Sequence, residues 1–269
     1  MLETYIPKKP LSDYIEMMWY WKDYHPPHPR ERILPSGMME ITISLSDVPF
    51  HITDDIETSC IRGAMVAGAR STPFIIDTRQ PISILSVWFK PGGAKLFFGV
   101  PSDKLVNRHL SLESLWGSYA NSLYSRLGEA RSSLARFQLL EDALLYRLLN
   151  ATERHRAVSY AIDIFRTAPQ NTKIKDVVDS IALSSTRFIQ VFREDVGMTP
   201  KQFCRVRRFQ QVLKVMAGNK TINWVDLALS CGFYDQSHFI NEFRQFAGIK
   251  PTAYAPQSYE HNTNLPVFD

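Results

Sequence analysis

The chain has 269 residues, 45% of them hydrophobic and 22% charged, with a net charge of +4. That length favours two domains, and the composition excludes disordered and fibrous classes. No apolar run approaches the ~20 residues of a membrane-spanning helix, and three cysteines (Cys60, Cys204, Cys231) without a CxxC spacing argue against a zinc or disulfide framework.

The first 24 residues space Leu11, Ile15, Met18 and Trp19 either as a helix face or as an extended aromatic segment; the period does not decide. Nor do they show the basic region and apolar core of a secretory signal, and the odd number of cysteines argues for a reducing cytoplasm. His25-Pro-Pro-His-Pro breaks any helix and reads as a proline-locked surface loop; without a third ligand nearby, His25 and His28 are no metal pair. From 31 to 90 the pattern is β. Strands are expected over Met38–Leu45, Ile61–Val66, Thr72–Asp77 and Ile82–Phe89, the last apolar enough to be central. A short helix over Ala94–Phe98, a helical turn at Leu112–Trp116 and helices over 118–130 and 134–150 follow. The first half is therefore α+β, strands then helices. Arg32, Glu40, Arg62, Trp88 and Lys90 are candidates for a pocket lining, but surface charges and a core tryptophan are the better reading. No HExxH, GxSxG, GxGxxG or P-loop pattern is present.

From 157 onward the pattern is helical. Ala157–Ala168 turns Val158, Ile162 and Phe165 inward, and 173–181, capped by Asn171 or Thr172, buries Ile174, Val177, Val178 and Ile181. Ser184 caps 185–196, where Phe188, Val191 and Phe192 face a core while Thr186, Arg187, Gln190 and Arg193 face away. Pro200 opens a long helix, 200–217, with Phe203, Val206, Phe209, Val212 and Leu213 inward and Arg205, Arg207, Arg208 and Lys214 largely outside. Thr221 or Asn223 caps 223–231, expected to bury Val225, Ala228 and Leu229. Asp235 caps 236–247, whose stripe is Phe239, Phe243 and Phe246. The opposite face, Gln236, Ser237, His238, Asn241 and Arg244, carries groups suited to base edges or phosphates. Gly248 and Pro251 stop it.

A shift of 51 residues superposes the two ends of this segment. Phe239 falls on Phe188, Phe243 on Phe192, Arg244 on Arg193, Gly248 on Gly197, Pro251 on Pro200 and Tyr254 on Phe203. This is an internal duplication of a helix-turn-helix unit. Charge follows it. Residues 1–154 are net 0, residues 155–256 net +6 and residues 257–269 net −2, so the whole surplus sits in the duplicated segment.

Two helix-turn-helix units joined by one long helix over 155–256 resemble the DNA-binding domain of AraC/XylS-type transcription regulators. More weakly, RILPSGMMEI, VWFKPGGAKLFFGVP and SLESLWG resemble the N-terminal domain of a subgroup of the same family. The resemblance implies three parts: 1–152, a regulatory, effector-sensing or dimerisation domain, cupin-like or half-barrel; 153–256, the DNA-binding domain; and 257–269, a flexible tail. It implies that two reading helices enter successive major grooves of double-stranded DNA. Matched by position, Thr186, Arg187, Gln190, Gln236, Ser237, His238 and Asn241 would read bases; Ile189, also on that face, could touch a thymine methyl. Arg193, Arg205, Arg208, Arg244 and Lys250 would meet the backbone. RNA polymerase is a further implied partner, a small-molecule effector and a second copy are allowed for, and no cofactor, metal or membrane is called for. The competing reading is an enzyme, with a small-molecule or DNA-repair activity, fused to a DNA-binding domain. It lacks an acid–base constellation, and Cys60 is the only cysteine in the first half.

Overall fold

The computed structural model describes residues 1–54, 58–149, 151, 153–167, 172–219, 221–255 and 263–267. The opening aromatic segment is extended: β1 (Leu2–Tyr5) and β2 (Ile15–Tyr24). The strands β3 (Arg30–Ile33), β4 (Met39–Ser44), β5 (Phe50–Thr53), β6 (Thr58–Ile61), β7 (Ala64–Ala67), β8 (Phe74–Asp77) and β9 (Ile82–Phe89) follow. The strand expected over Ile61–Val66 is in fact the end of β6 and the start of β7, because Gly63 turns the chain between them at φ +72°. Next come α1 (Lys95–Phe98), β10 (His109–Ser111), α2 (Glu113–Trp116), α3 (Ser118–Glu129) and α4 (Ser133–Leu148).

The strands form two antiparallel sheets, β1-β2-β9-β4-β7-β10 and β11-β3-β8-β5-β6, where β11 is Asn264–Val267. Strict alternation on the first sheet decides what covers each face. Met18, Ile41, Leu85, Val87 and Phe89 pack with Phe97, Leu123, Phe137 and Leu140 of the helices. Ile82, Ile84 and Met65 point the other way, onto Phe50, Ile52 and Phe74 of the second sheet. The His25–Pro29 loop is not wholly at the surface. His28 is buried, its Nε2 2.9 Å from Glu31 Oε1, and the Tyr24 hydroxyl donates to the same carboxylate. Proline restricts the backbone there, but the buried Glu31 of β3 needs partners, and it draws His28 inward.

The second half is all helical: α5 (Arg156–Thr167), α6 (Ile174–Asp179), α7 (Ser185–Val196), α8 (Pro200–Gly218), α9 (Trp224–Ser230) and α10 (Gln236–Ala247). Its apolar core is continuous with the helical face of the first sheet. Three expectations are corrected here. Lys173, not Thr172, occupies the N-cap of α6, without a side-chain cap bond, and Asn171 lies outside the described residues. On α9, Leu227 and Ala228 are buried while Val225 and Leu229 are exposed, because a seven-residue helix with apolar groups on all sides leaves its phase open. The segment read as a flexible tail contains β11, which pairs antiparallel with β3 from Asn264↔Ile33 to Val267↔Arg30.

Candidate nucleic-acid interface

Each of the two units pairs a short helix with a capped twelve-residue helix. In the first, the Ser184 hydroxyl accepts from the Arg187 N–H at 3.3 Å, fixing the start of α7. In the second, Asn223 Oδ1 accepts from the N–H of Val225 and Asp226, and Asp235 Oδ1 from the N–H of His238 at 2.7 Å. These caps satisfy backbone donors that a helix start otherwise leaves free. The aromatic stripes lock each helix to its unit. Phe188 and Phe192 meet edge to face, as do Phe239 and Phe243. Gly197 and Gly248 close the helices at φ +90° and +68°.

The faces opposite the stripes stay in solvent. Thr186, Arg187 and Gln190 of α7 are exposed, as are Gln236, Ser237, His238 and Asn241 of α10. Two helices of equal length, each with a buried aromatic stripe and an exposed polar face, pack against α8, Phe192 meeting Phe203 and Phe243 and Phe246 meeting Phe209.

A family model described as "Helix-turn-helix domain" matches residues 177–257, spanning the second unit and most of the first. The Melibiose operon regulatory protein of Escherichia coli (strain K12) is 22% identical over 96% of this chain and 95% of its own length. The C-terminal half carries a helix-turn-helix domain of AraC type.

Other comparisons fit around that result. The Probable transcriptional regulator LumQ of Photobacterium leiognathi is 31% identical over 27% of this chain and 29% of its own. Residues 3–111 match a model described as "Domain of unknown function (DUF6597)". ToxT from Vibrio cholerae O395 superposes with a TM-score of 0.49 at 12% identity, covering 87% of this chain and 96% of that one.

Within the helical half, the residues expected to contact backbone separate into two groups. Arg244 and Lys250 are exposed, and Arg193 is half in solvent, 3.6 Å from Asp103 Oδ2. Arg205 and Arg208 are instead occupied by one buried carboxylate, Glu242 of α10, whose side chain is 4% exposed. Arg205 Nε donates to Glu242 Oε2 at 2.8 Å, and Arg208 Nη2 to Oε1 at 2.6 Å. Arg208 Nη1 also donates to the Gly232 carbonyl at 3.2 Å, and its guanidinium lies 4.5 Å from the Phe233 ring centre. These bonds tie α8, the turn of the second unit and α10 together. His238 also turns towards this cluster. Its Nδ1 accepts from the Tyr234 N–H at 3.3 Å, and its Nε2 lies 3.7 Å from Glu242 Oε2.

A cleft of about 620 Å³ opens beside the cluster, lined in part by Lys201, Arg205, Arg208, His238, Asn241 and Gln245. Burial pushes the Cys204 thiol on its wall up to about 11, which keeps it neutral at physiological pH. The cleft brings His238 and Asn241 alongside the basic face of α8, whereas Thr186, Arg187 and Gln190 lie on the other unit. Gln190 Nε2 donates to Glu194 Oε1, one turn further on, at 2.9 Å. Ile189 is 40% exposed on the same face.

Sequence reasoning missed Glu242, Lys201 and Tyr234, which is 87% exposed in the turn before α10. The signal for Glu242 was a lone carboxylate beside an aromatic stripe, two helices after three closely spaced arginines. The residues weighed as a pocket lining in the first half are mostly engaged rather than free surface charges. Trp88 Nε1 donates to Glu40 Oε2 at 2.6 Å, Lys90 Nζ to the Ser12 carbonyl at 2.6 Å, and Arg32 to the Ala247 carbonyl. Burial raises the Glu40 carboxyl to about 6, opposed by the Trp88 hydrogen bond. Among the described residues no group of three or more His, Cys, Asp or Glu is placed to hold a metal ion, and no helix is long and apolar enough to cross a membrane.

Proposed function

We propose that α7 and α10 read successive major grooves on one face of duplex DNA, about one turn (~34 Å) apart. The observation that carries this is the pair of capped, twelve-residue helices with exposed polar faces, repeated 51 residues apart in the segment that holds the whole charge surplus. Thr186, Arg187 and Gln190 read one block of bases; Gln236, Ser237, His238 and Asn241 read the other, Arg suiting guanine and Asn or Gln suiting adenine. Phosphate contacts fall to Arg193, Arg244, Lys250 and Lys201. Arg205 and Arg208 serve α10 through Glu242 and not the backbone, which revises the assignment made from sequence.

On this reading residues 153–256 are the DNA-binding domain and 1–152 the domain that senses a small molecule and governs it. The chain carries out no reaction of its own. RNA polymerase and a second copy of the chain are its macromolecular partners besides DNA, and the three free cysteines fit a reducing cytoplasm. The relative from Escherichia coli, named for the melibiose operon, supports a regulator that answers a metabolite.

The test is binding of the full chain to DNA upstream of its own gene, from 50 to 300 mM salt, with random duplex as competitor. Selective, steeply salt-dependent binding is expected. Equal affinity for every duplex, on a genome-wide fragment pool as well and with metabolites added, would remove the reading.

A further inference from the structure

The two reading helices are held by different means, and the duplication shows where they diverge. In the second unit the hold is mostly internal: Glu242 of α10 joins Arg205 and Arg208 of α8. Carried back 51 residues, Glu242 falls on Val191, a core residue that can accept no such bond. Arg205 falls on Arg154, whose guanidinium lies 5.6 Å from the ring centre of Tyr14, in the N-terminal half.

The first unit has its own buried carboxylate, one turn later, at Asp195. It is 3% exposed, and each partner it has lies outside the helical unit. Lys95 Nζ of α1 donates to Oδ1 at 2.7 Å, and the His155 N–H, between the two halves, donates to Oδ2 at 3.1 Å. The Ser102 hydroxyl donates to the Asp195 carbonyl at 2.8 Å. Just beyond, a Cβ on Gly197 would lie 3.2 Å from the Ser102 carbonyl oxygen, so the end of α7 is seated against the N-terminal half. The equivalent of Asp195 in the second unit is Phe246, a core side chain. There, among the described residues, the N-terminal half gives α10 one hydrogen bond, from Arg32 Nη1 to the Ala247 carbonyl.

We infer that Glu242 and Asp195 are the positioning residues of the two reading helices, and that Asp195 hands the first helix to the N-terminal half through Lys95 and Ser102, with the His155 N–H at the junction holding its other oxygen. The second unit carries its own alignment, and the first borrows it. A change in the N-terminal half that moves α1 tilts α7 against the DNA and leaves α10 in register. The inference rests on the two-groove reading.

Sequences enriched from a random duplex pool by the full-length protein test it. The wild-type chain enriches two blocks about one turn apart. Lys95→Gln and Asp195→Asn lower base discrimination about ten-fold in the block under α7 and leave the other block within about two-fold. Lys95→Arg, which keeps the charge, restores the wild-type preference, and Glu242→Gln relaxes only the block under α10. Thermal melting of each variant separates misfolding from misalignment, and Lys95→Gln serves where Asp195→Asn does not fold. Equal weakening of both blocks, or no change in either by a folded Lys95→Gln, overturns the assignment. A wild-type chain that enriches no sequence overturns the two-groove reading itself, and the inference with it.

Discussion

Arg32 of β3 donates Nη1 to the main-chain carbonyl of Ala247, the last residue of α10, at 3.1 Å. A guanidinium at a helix C-terminus meets the carbonyls that have no partner within the helix and the negative end of its dipole. The next residue, Gly248, is left-handed at φ +68°, and a Cβ there would lie 2.7 Å from the same nitrogen. Arg32→Ala is expected to cost about 1–2 kcal/mol of stability. Gly248→Ala should cost about as much or more, combining backbone strain with displacement of Arg32. Urea unfolding of the full chain measures both, and an unchanged midpoint for either would remove this contact from the folding balance.

Arg208 is the sharpest departure from what its exposed-looking position suggested. Removing it strands Glu242 in the interior with fewer partners, which costs about 3 kcal/mol for a buried pair. Arg208→Ala should therefore destabilise the chain while leaving the salt dependence of DNA binding unchanged. The double substitution with Glu242→Gln should be less than additive. A salt slope lower by about one unit would instead make Arg208 a phosphate contact.

Lys201, exposed at the start of α8 beside the cleft, carries the opposite expectation. Lys201→Gln should weaken binding to all duplexes alike and lower the salt slope by about one unit. Arg187→Ala and Asn241→Ala should cost about 1–3 kcal/mol and relax preference at single base pairs. A uniform loss across sequences would reassign either one to the backbone.

Glu40 gives a pH dependence with a definite sign. Its carboxyl is raised from 4.5 to about 6 in the folded chain, so the fold binds its proton more tightly than the unfolded chain does. Its contribution to stability is present in acid and is lost as pH rises through that window. Glu40→Gln should flatten this fall and gain about 1–2 kcal/mol above pH 6. Thermal melts of both chains between pH 4 and 7.5 would show the curves diverging upward in pH, and parallel curves would refute it.

The helical half was legible because its signals are local. Caps such as Ser184 and Asp235, stripes such as Phe239–Phe243–Phe246 and stops such as Gly248 lie within one turn of the backbone they control. The sheet was less so. β3, β5 and β10 are three or four residues long, too short to establish a period, and β11 pairs across more than 200 residues. The site divided along the same line. The exposed faces of α7 and α10 could be read from helical phase. The attachments of Glu242 and Asp195 could not, since Arg208 is 34 residues from its carboxylate and Lys95 is 100 from Asp195. A charge on the edge of a stripe looks solvated until its distant partner is known.

The pairing of β11 with β3 makes the helical half a loop inserted between two anchors. It leaves the β-rich half after α4 and returns to it at Asn264, whose Nδ2 reaches the buried Glu31 carboxylate at 3.3 Å. With β11 zipped to β3, the helical half cannot part from the β-rich half at its far end without breaking the four residue pairs from Asn264↔Ile33 to Val267↔Arg30. The strand therefore acts as a clasp that closes the chain back on the sheet it left.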